Sequence, residues 1–352
     1  MSESTLPPLM SDRGAALAER RLTGLFQHGE WTSERVWLRS HQDRNPFMSA
    51  NILLILERCG APGDALQRQM ESARARLASY RQGHRAWHWP LREGRSAMAN
   101  APMLWRHRWV EISPDADCTC LVQLARREPG MDDAILEDLA FYRADGERFR
   151  LPAFQRSLPG AAGSFLTWFP PRERCHSGKI ETVDAGVDAN ILWYLGTTSR
   201  LDAEGAAETA RFLTETVRTG LVLRAPFRIS MYYPKSAVLL FLISRAAVWG
   251  EVPALLALKA ELLGQLAECP ARSPLEMLCR DAAIRLWTGT RASDAPIPTP
   301  SGTDAFYVGP LLAWPLQRCA PLLGVAAQRR THIQFRCEAL EWALYLWLQQ
   351  PA

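Results

Sequence analysis

Apolar positions recur at helical spacing along most of this chain, and strict apolar–polar alternation is nearly absent, so the pattern predicts an all-α protein. A first helix covers Ala15 to Gln27, and Trp31 to Arg39 brings Trp37 and Leu38 toward the core. Asn45-Pro46 opens a second helix that runs through Ser49 to Leu56 and is closed by Gly60 and Pro62. Ala65 to Tyr80 is amphipathic, and the aromatic segment Trp87-His88-Trp89 that follows cannot stay helical past Pro90. A long connection holding Trp105 and Trp109 then leads to Glu111–Leu124, where Ser113 reads as an N-cap with Pro114 at the first helical position. Further helices are predicted at Asp132 to Tyr142, Asp184 to Leu195, Ala203 to Thr219, Lys235 to Val248, Val252 to Ala267, Pro274 to Trp287, Val308 to Leu316 and Arg336 to Gln349.

Two of these helices carry one pattern. Ser-Ala-Asn-Ile-Leu-Leu-Ile-Leu at 49–56 and Asp-Ala-Asn-Ile-Leu-Trp-Tyr-Leu at 188–195 share five of eight residues, which suggests a repeated helical hairpin. Helical hairpins joined by long loops describe a stacked or ring-closed α/α architecture. Residues 1–12 are polar and predict a disordered tail, leaving 13–352 as a single α/α domain.

Composition changes this picture in one respect. The 13 Trp residues outnumber the 12 Phe, which implies a large aromatic surface in the core or around a cavity. The net charge of +4 is modest and the arginines are scattered, so no nucleic-acid partner is expected. Eight cysteines include no CxxC pair and read as small buried hydrophobes in a reducing cytoplasm, so no metal is expected from their spacing. No secretion signal and no apolar run of membrane-spanning length appear.

The chemistry is concentrated at Asp115-Ala116-Asp117-Cys118-Thr119, at a helix start with an apolar face behind it. Two acids there either complement the helix dipole or include a proton donor. Asp184 and Asp188, spaced i and i+4, are a second acidic pair that suits capping and solvation, or a metal or a second proton transfer. His107, between Arg106 and Arg108, would suit a diphosphate or a solvated face.

The helical hairpins, the Trp- and Gly-bearing loops and this acidic start together resemble the α/α toroids of the terpenoid cyclase and protein prenyltransferase superfamily. Asp115-Ala116-Asp117-Cys118 is similar to the Asp-x-Asp-Asp box of class II cyclases, with Cys118 in place of the fourth aspartate, and Asp117-Cys118-Thr119 matches the Asp-Cys-Thr of oxidosqualene cyclases. The resemblance implies that Asp117 is the acid that protonates a prenyl or polyene substrate, with Asp115 and Cys118 beside it. Its cavity would be lined by Trp87, Trp89, Trp109, Trp168, Phe169, Asp188, Asn190, Trp193 and Tyr232, since aromatic faces attract growing positive charge without acting as nucleophiles. No cofactor is implied unless the substrate carries a diphosphate, which would bring magnesium. The prenyltransferase branch uses zinc held by Asp, Cys and His, for which Asp117, Cys120 and His176 or His332 are candidates with the wrong spacing. The expected partner is a hydrophobic small molecule; full cyclases use two helical domains, so a partner protein or a second copy could complete the cavity. The competing expectation is a non-catalytic toroid that binds a hydrophobic ligand or partner protein, and a third is a carbohydrate-active toroid with an aspartate pair.

Overall fold

Helices that are apolar on every side must be buried on every side. In a computed structural model of the chain, described over residues 10–36, 40–91, 96–97, 111–291, 296–310 and 332–351, the three most uniformly apolar helices are buried in this way. Every residue of α2 (Pro46–Leu56) is buried, as are Ala185 to Leu195 of α6 (Ala185–Thr197) and Ala237 to Ala247 of α8 (Ser236–Trp249). The intervening helices are α1 (Met10–Leu25), α3 (Asp64–Arg76), α4 (Ala116–Arg126), α5 (Asp132–Phe141) and α7 (Ala206–Arg218). They are followed by α9 (Lys259–Glu268), α10 (Pro274–Thr288) and α11 (Glu338–Gln349).

The packing order closes on itself. Helix α2 lies against α4, α4 against α6, α6 against α8, α8 against α10, α10 against α11, and α11 against α2. Outside this ring, α3 covers α2, α5 covers α4, α7 covers α6 and α9 covers α8 and α10, while α1 packs on α11. The outer helix α7 buries Ala206, Thr209, Ala210, Phe212, Leu213 and Val217 and keeps charge on its other face, the one-sided pattern of a surface helix. Where α6 and α8 end, the backbones touch: a Cβ placed on Gly196 would lie 1.7 Å from the carbonyl oxygen of Gly250, so only glycine fits there.

The all-α expectation needs correction, because the chain is mostly helical but carries small sheets. A four-stranded antiparallel sheet has the order β3-β4-β1-β2, built from β1 (Ser33–Val36), β2 (Ser40–Asp43), β3 (Ala305–Pro310) and β4 (His332–Arg336). Its register pairs Tyr307 with Phe335 and Phe335 with Arg35. The helix expected from Val308 is therefore strand as far as Pro310, and residues 311–316 of that expectation lie outside the described residues. Ile333, Phe335 and Cys337 are buried and alternate with the half-buried Gln334 and Arg336, and the burial of that one face outweighs helical propensity. Residues 1–9 of the expected tail also lie outside the described residues, and α1 begins at Met10. No described helix is long and apolar enough to cross a membrane.

Candidate active site

The helix that carries the acidic stretch starts two residues later than expected. Asp115, not Ser113, is the N-cap of α4, in extended conformation and accepting the Cys118 N–H at 2.5 Å. Its other carboxylate oxygen is buried without a partner. Burial pushes the Asp115 carboxyl up to about 7 against the pull of the Cys118 amide.

Asp117 sits in the first turn, 5% exposed. One carboxylate oxygen accepts from Asn190 Nδ2 at 2.7 Å and the other from the Tyr233 hydroxyl. Burial first, and the charge of Asp115 second, hold this carboxyl well above the usual range, while Tyr233 and Asn190 work in the opposite direction. Behind Asn190 lies Arg245, fully buried in α8, which donates to Asn190 Oδ1 and, at 2.7 Å, to Asn51 Oδ1. The two asparagines of the repeated Ala-Asn-Ile-Leu pattern thus converge on one guanidinium. Arg245 also stacks 4.1 Å over the Trp193 ring. Burial lowers its pKa to about 9, opposed by Asp117, so it remains a cation at neutral pH.

Asp115 and Asp117 face a cavity of about 670 Å3 at the N-terminal ends of α2, α4 and α6. Phe47, Trp168, Tyr232, Tyr233, Tyr307 and Phe335 supply much of its wall. Tyr307 and Phe335 stack at 4.4 Å, brought there by the β3–β4 register. Trp168 donates to the Tyr232 hydroxyl at 2.9 Å. Exposed Arg174 and His176, with Lys179 paired to Glu181 at 3.1 Å, form a polar rim. The loop before α8 is set by close packing: a Cβ on Gly186 would come within 2.1 Å of the Tyr233 ring, so glycine is what lets Tyr233 reach Asp117.

Of the residues expected around a cavity, Asp115, Asp117, Cys118, Trp89, Trp168 and Tyr232 line it. The others differ, for packing reasons. Phe169 is buried against Tyr142, with ring centroids 5.1 Å apart, and Trp193 fills the ring interior under Arg245. Asn190 stands behind Asp117 rather than on the wall, and Trp87 lies outside the lining. Trp105, Trp109 and the Arg106-His107-Arg108 cluster lie outside the described residues, as does the His332 side chain. Tyr233, His88, Phe47, Tyr307 and Phe335 were not anticipated. Only Tyr-Tyr-Pro at 232–234 and the Trp-His-Trp run offered any signal for two of them.

The second acidic pair divides. Asp184 caps α6 and accepts from the Gly186, Val187, Met231 and Tyr232 amides and the Ser230 hydroxyl, which ties the 230–232 turn to the ring. Burial raises it to about 6, and those donors pull the other way. Asp188 is fully buried with no partner on either oxygen, and burial together with the Asp184 charge holds it well above its usual range. Its folded pKa exceeds the unfolded value of about 3.9, so its presence costs stability progressively as pH rises above about 4. Asp188→Asn is therefore expected to raise stability by about 1–3 kcal/mol at neutral pH, with the gain fading toward pH 4 in denaturant melts. A gain that does not depend on pH would sink this reading.

Among the described residues, His88, Asp115 and Cys118 gather donor atoms within 4.8 Å of one another, whereas Asp117, Cys120 and His176 do not form such a group.

No protein-family model and no curated protein sequence matches the chain. Among solved structures it is similar to a protein from Actinoplanes, at 14% identity and a TM-score of 0.53 over 96% of this chain and 98% of that one. It is also similar to a variant of the type II terpene cyclase MstE from Scytonema, solved with its substrate geranylgeranyl dihydroxybenzoate. That likeness has 11% identity and a TM-score of 0.51 over 96% of each chain. Across nearly its whole length, the chain shares the fold of a type II terpene cyclase.

Proposed function

We propose that the protein is a class II terpene cyclase-like enzyme of α/α-toroid architecture in which Asp117 protonates a prenyl or polyene substrate to start cyclisation. One observation carries this reading: a buried carboxyl, whose surroundings favour its protonated form, opens onto an aromatic cavity large enough for a prenyl chain. An alkene is a very poor base, so the donor must be an acid that has kept its proton in a dry place and whose conjugate base is already solvated by protein. Tyr233 can accept a hydrogen bond while Asp117 is protonated and donate one after the proton leaves. Asn190 donates throughout, and the charge of Arg245 stands one hydrogen bond behind it, ready for the carboxylate that forms.

The positive charge that then moves along the substrate meets the faces of Trp168, Tyr232, Tyr307 and Phe335. A proton taken up at the start and lost at the end makes the reaction an isomerisation. The fold shared with a cyclase whose substrate joins a geranylgeranyl tail to an acidic arene favours an amphiphile, its tail in the cavity and its polar head toward Arg174 and Lys179.

The test is product analysis. Geranylgeranyl arenes, prenyl diphosphates and squalene-type polyenes are incubated with the protein, with magnesium and with a chelator. A cyclised isomer of one of them is expected. Saturable binding of these substrates with none converted would instead favour the non-catalytic toroid, for which the Cys118 replacement in the acid box speaks.

A further inference from the structure

Cys118 and His88 have no part in that protonation, yet they meet in the cavity wall. His88 Nδ1 lies 3.5 Å from Cys118 Sγ, and His88 Nε2 is 2.8 Å from the Tyr307 hydroxyl. Two ligands on a tetrahedral ion at the usual zinc–nitrogen and zinc–sulfur lengths stand about 3.6 Å apart, so the ring and the sulfur already have that separation. The Tyr307 contact occupies the far ring nitrogen, the outer hydrogen bond that orients a ligating imidazole and leaves the near lone pair for a metal. The third member supplies an independent sign. Asp115 is 4% exposed, and its free oxygen has no hydrogen-bond partner although its other oxygen caps α4. A buried acceptor without a partner is costly, and an oxygen of this same carboxylate stands within 4.8 Å of the other two donor atoms.

We infer that His88, Asp115 and Cys118 form a binding site for a thiophilic divalent cation of the zinc type, with its fourth position open to the cavity. All three residues line the cavity, so an exogenous oxygen from water or a ligand head group can complete the tetrahedron. On binding, the ion takes the place of the thiol proton, which leaves to solvent. Thiolate, carboxylate and dication then sum to zero charge, which suits a site this buried. Magnesium, which prefers six oxygens, does not fit this donor set.

Asp117 is no ligand but Asp115 is, so a bound dication would cancel the charge that helps Asp117 keep its proton; the cobalt readout needs no turnover and so tests the site separately from the protonation reading. Metal-stripped full-length protein is titrated anaerobically with cobalt(II). The expected result is one saturable equivalent with the strong visible absorption of tetrahedral cobalt and a near-ultraviolet thiolate charge-transfer band. Cys118→Ser should remove that band, and His88→Gln, which keeps a side-chain polar group near Tyr307, should weaken binding by about tenfold or more. Asp117→Asn should titrate as wild type does even if it turns nothing over. Zinc should displace the cobalt. Absence of a saturable spectrum overturns the site, as does a spectrum unchanged in both Cys118→Ser and His88→Gln with their circular dichroism intact. If one of those variants fails to fold, the other decides alone.

Discussion

Asp117→Asn is expected to lower turnover of any accepted polyene by about 10²–10⁴ or more, with substrate affinity near wild type and a melting temperature at neutral pH no lower than wild type, since removing a carboxyl held above its usual range relieves a cost. The amide is isosteric and still offers an oxygen to Asn190 and a donor to the Tyr233 hydroxyl, so the surrounding contacts survive while the transferable proton is gone. A neighbouring variant reads the electrostatics. Asp115→Asn keeps a good N-cap on α4 but removes the negative charge that helps Asp117 retain its proton. Activity requires protonated Asp117 and so falls as pH rises through its pKa. With the neighbouring charge removed that pKa drops, and the alkaline limb of the rate profile should move to lower pH. Full turnover by Asp117→Asn would end the acid proposal, and an unmoved limb in Asp115→Asn would end the coupling.

The second large effect concerns Arg245. Arg245→Met is expected to destabilise the fold by about 3–5 kcal/mol, measured as a lowered denaturant midpoint, because it strands the carbonyl oxygens of Asn51 and Asn190 in the middle of the ring and removes a charge near Asp117. Arg245→Lys should recover little of the loss. Its ammonium is a single point of charge, whereas the guanidinium fork reaches both asparagines at once and lies flat on Trp193. Turnover of Arg245→Lys should also fall, since Asn190 loses the partner that orients it toward Asp117. A lysine variant as stable as wild type would show that the two asparagines do not depend on the fork.

How much of this could be read from the residues follows from the range of the interactions involved. Helices α2, α6 and α8 were legible because a segment apolar on every side has one place to go, whereas the start of α4 was legible only to within two residues, since Ser113 and Asp115 are both good caps and packing selects Asp115. The matching Ala-Asn-Ile-Leu segments were visible, but their shared arginine was not, since nothing local ties Arg245 to Asn51 across 194 residues. The four-stranded sheet was missed for the same reason. Its strands are short, and Val36 pairs with Gln334 only after the ring has brought them together. Aromatic residues were recognisable as a set, whereas which of them face the cavity depends on packing: Trp168 does, and Phe169, its neighbour, turns into Tyr142.

The circular order of the inner helices bears on how such a chain can be made. A circle lacks a free edge, so its last gap, between α11 and α2, is sealed only when Glu338–Gln349 finds a partner formed nearly three hundred residues before. Until then α2 would present apolar surface that nothing yet covers, an arrangement of high contact order that slows folding and invites association between nascent chains. Chaperone dependence, and aggregation on loss of the final helix, are what this topology leads one to expect.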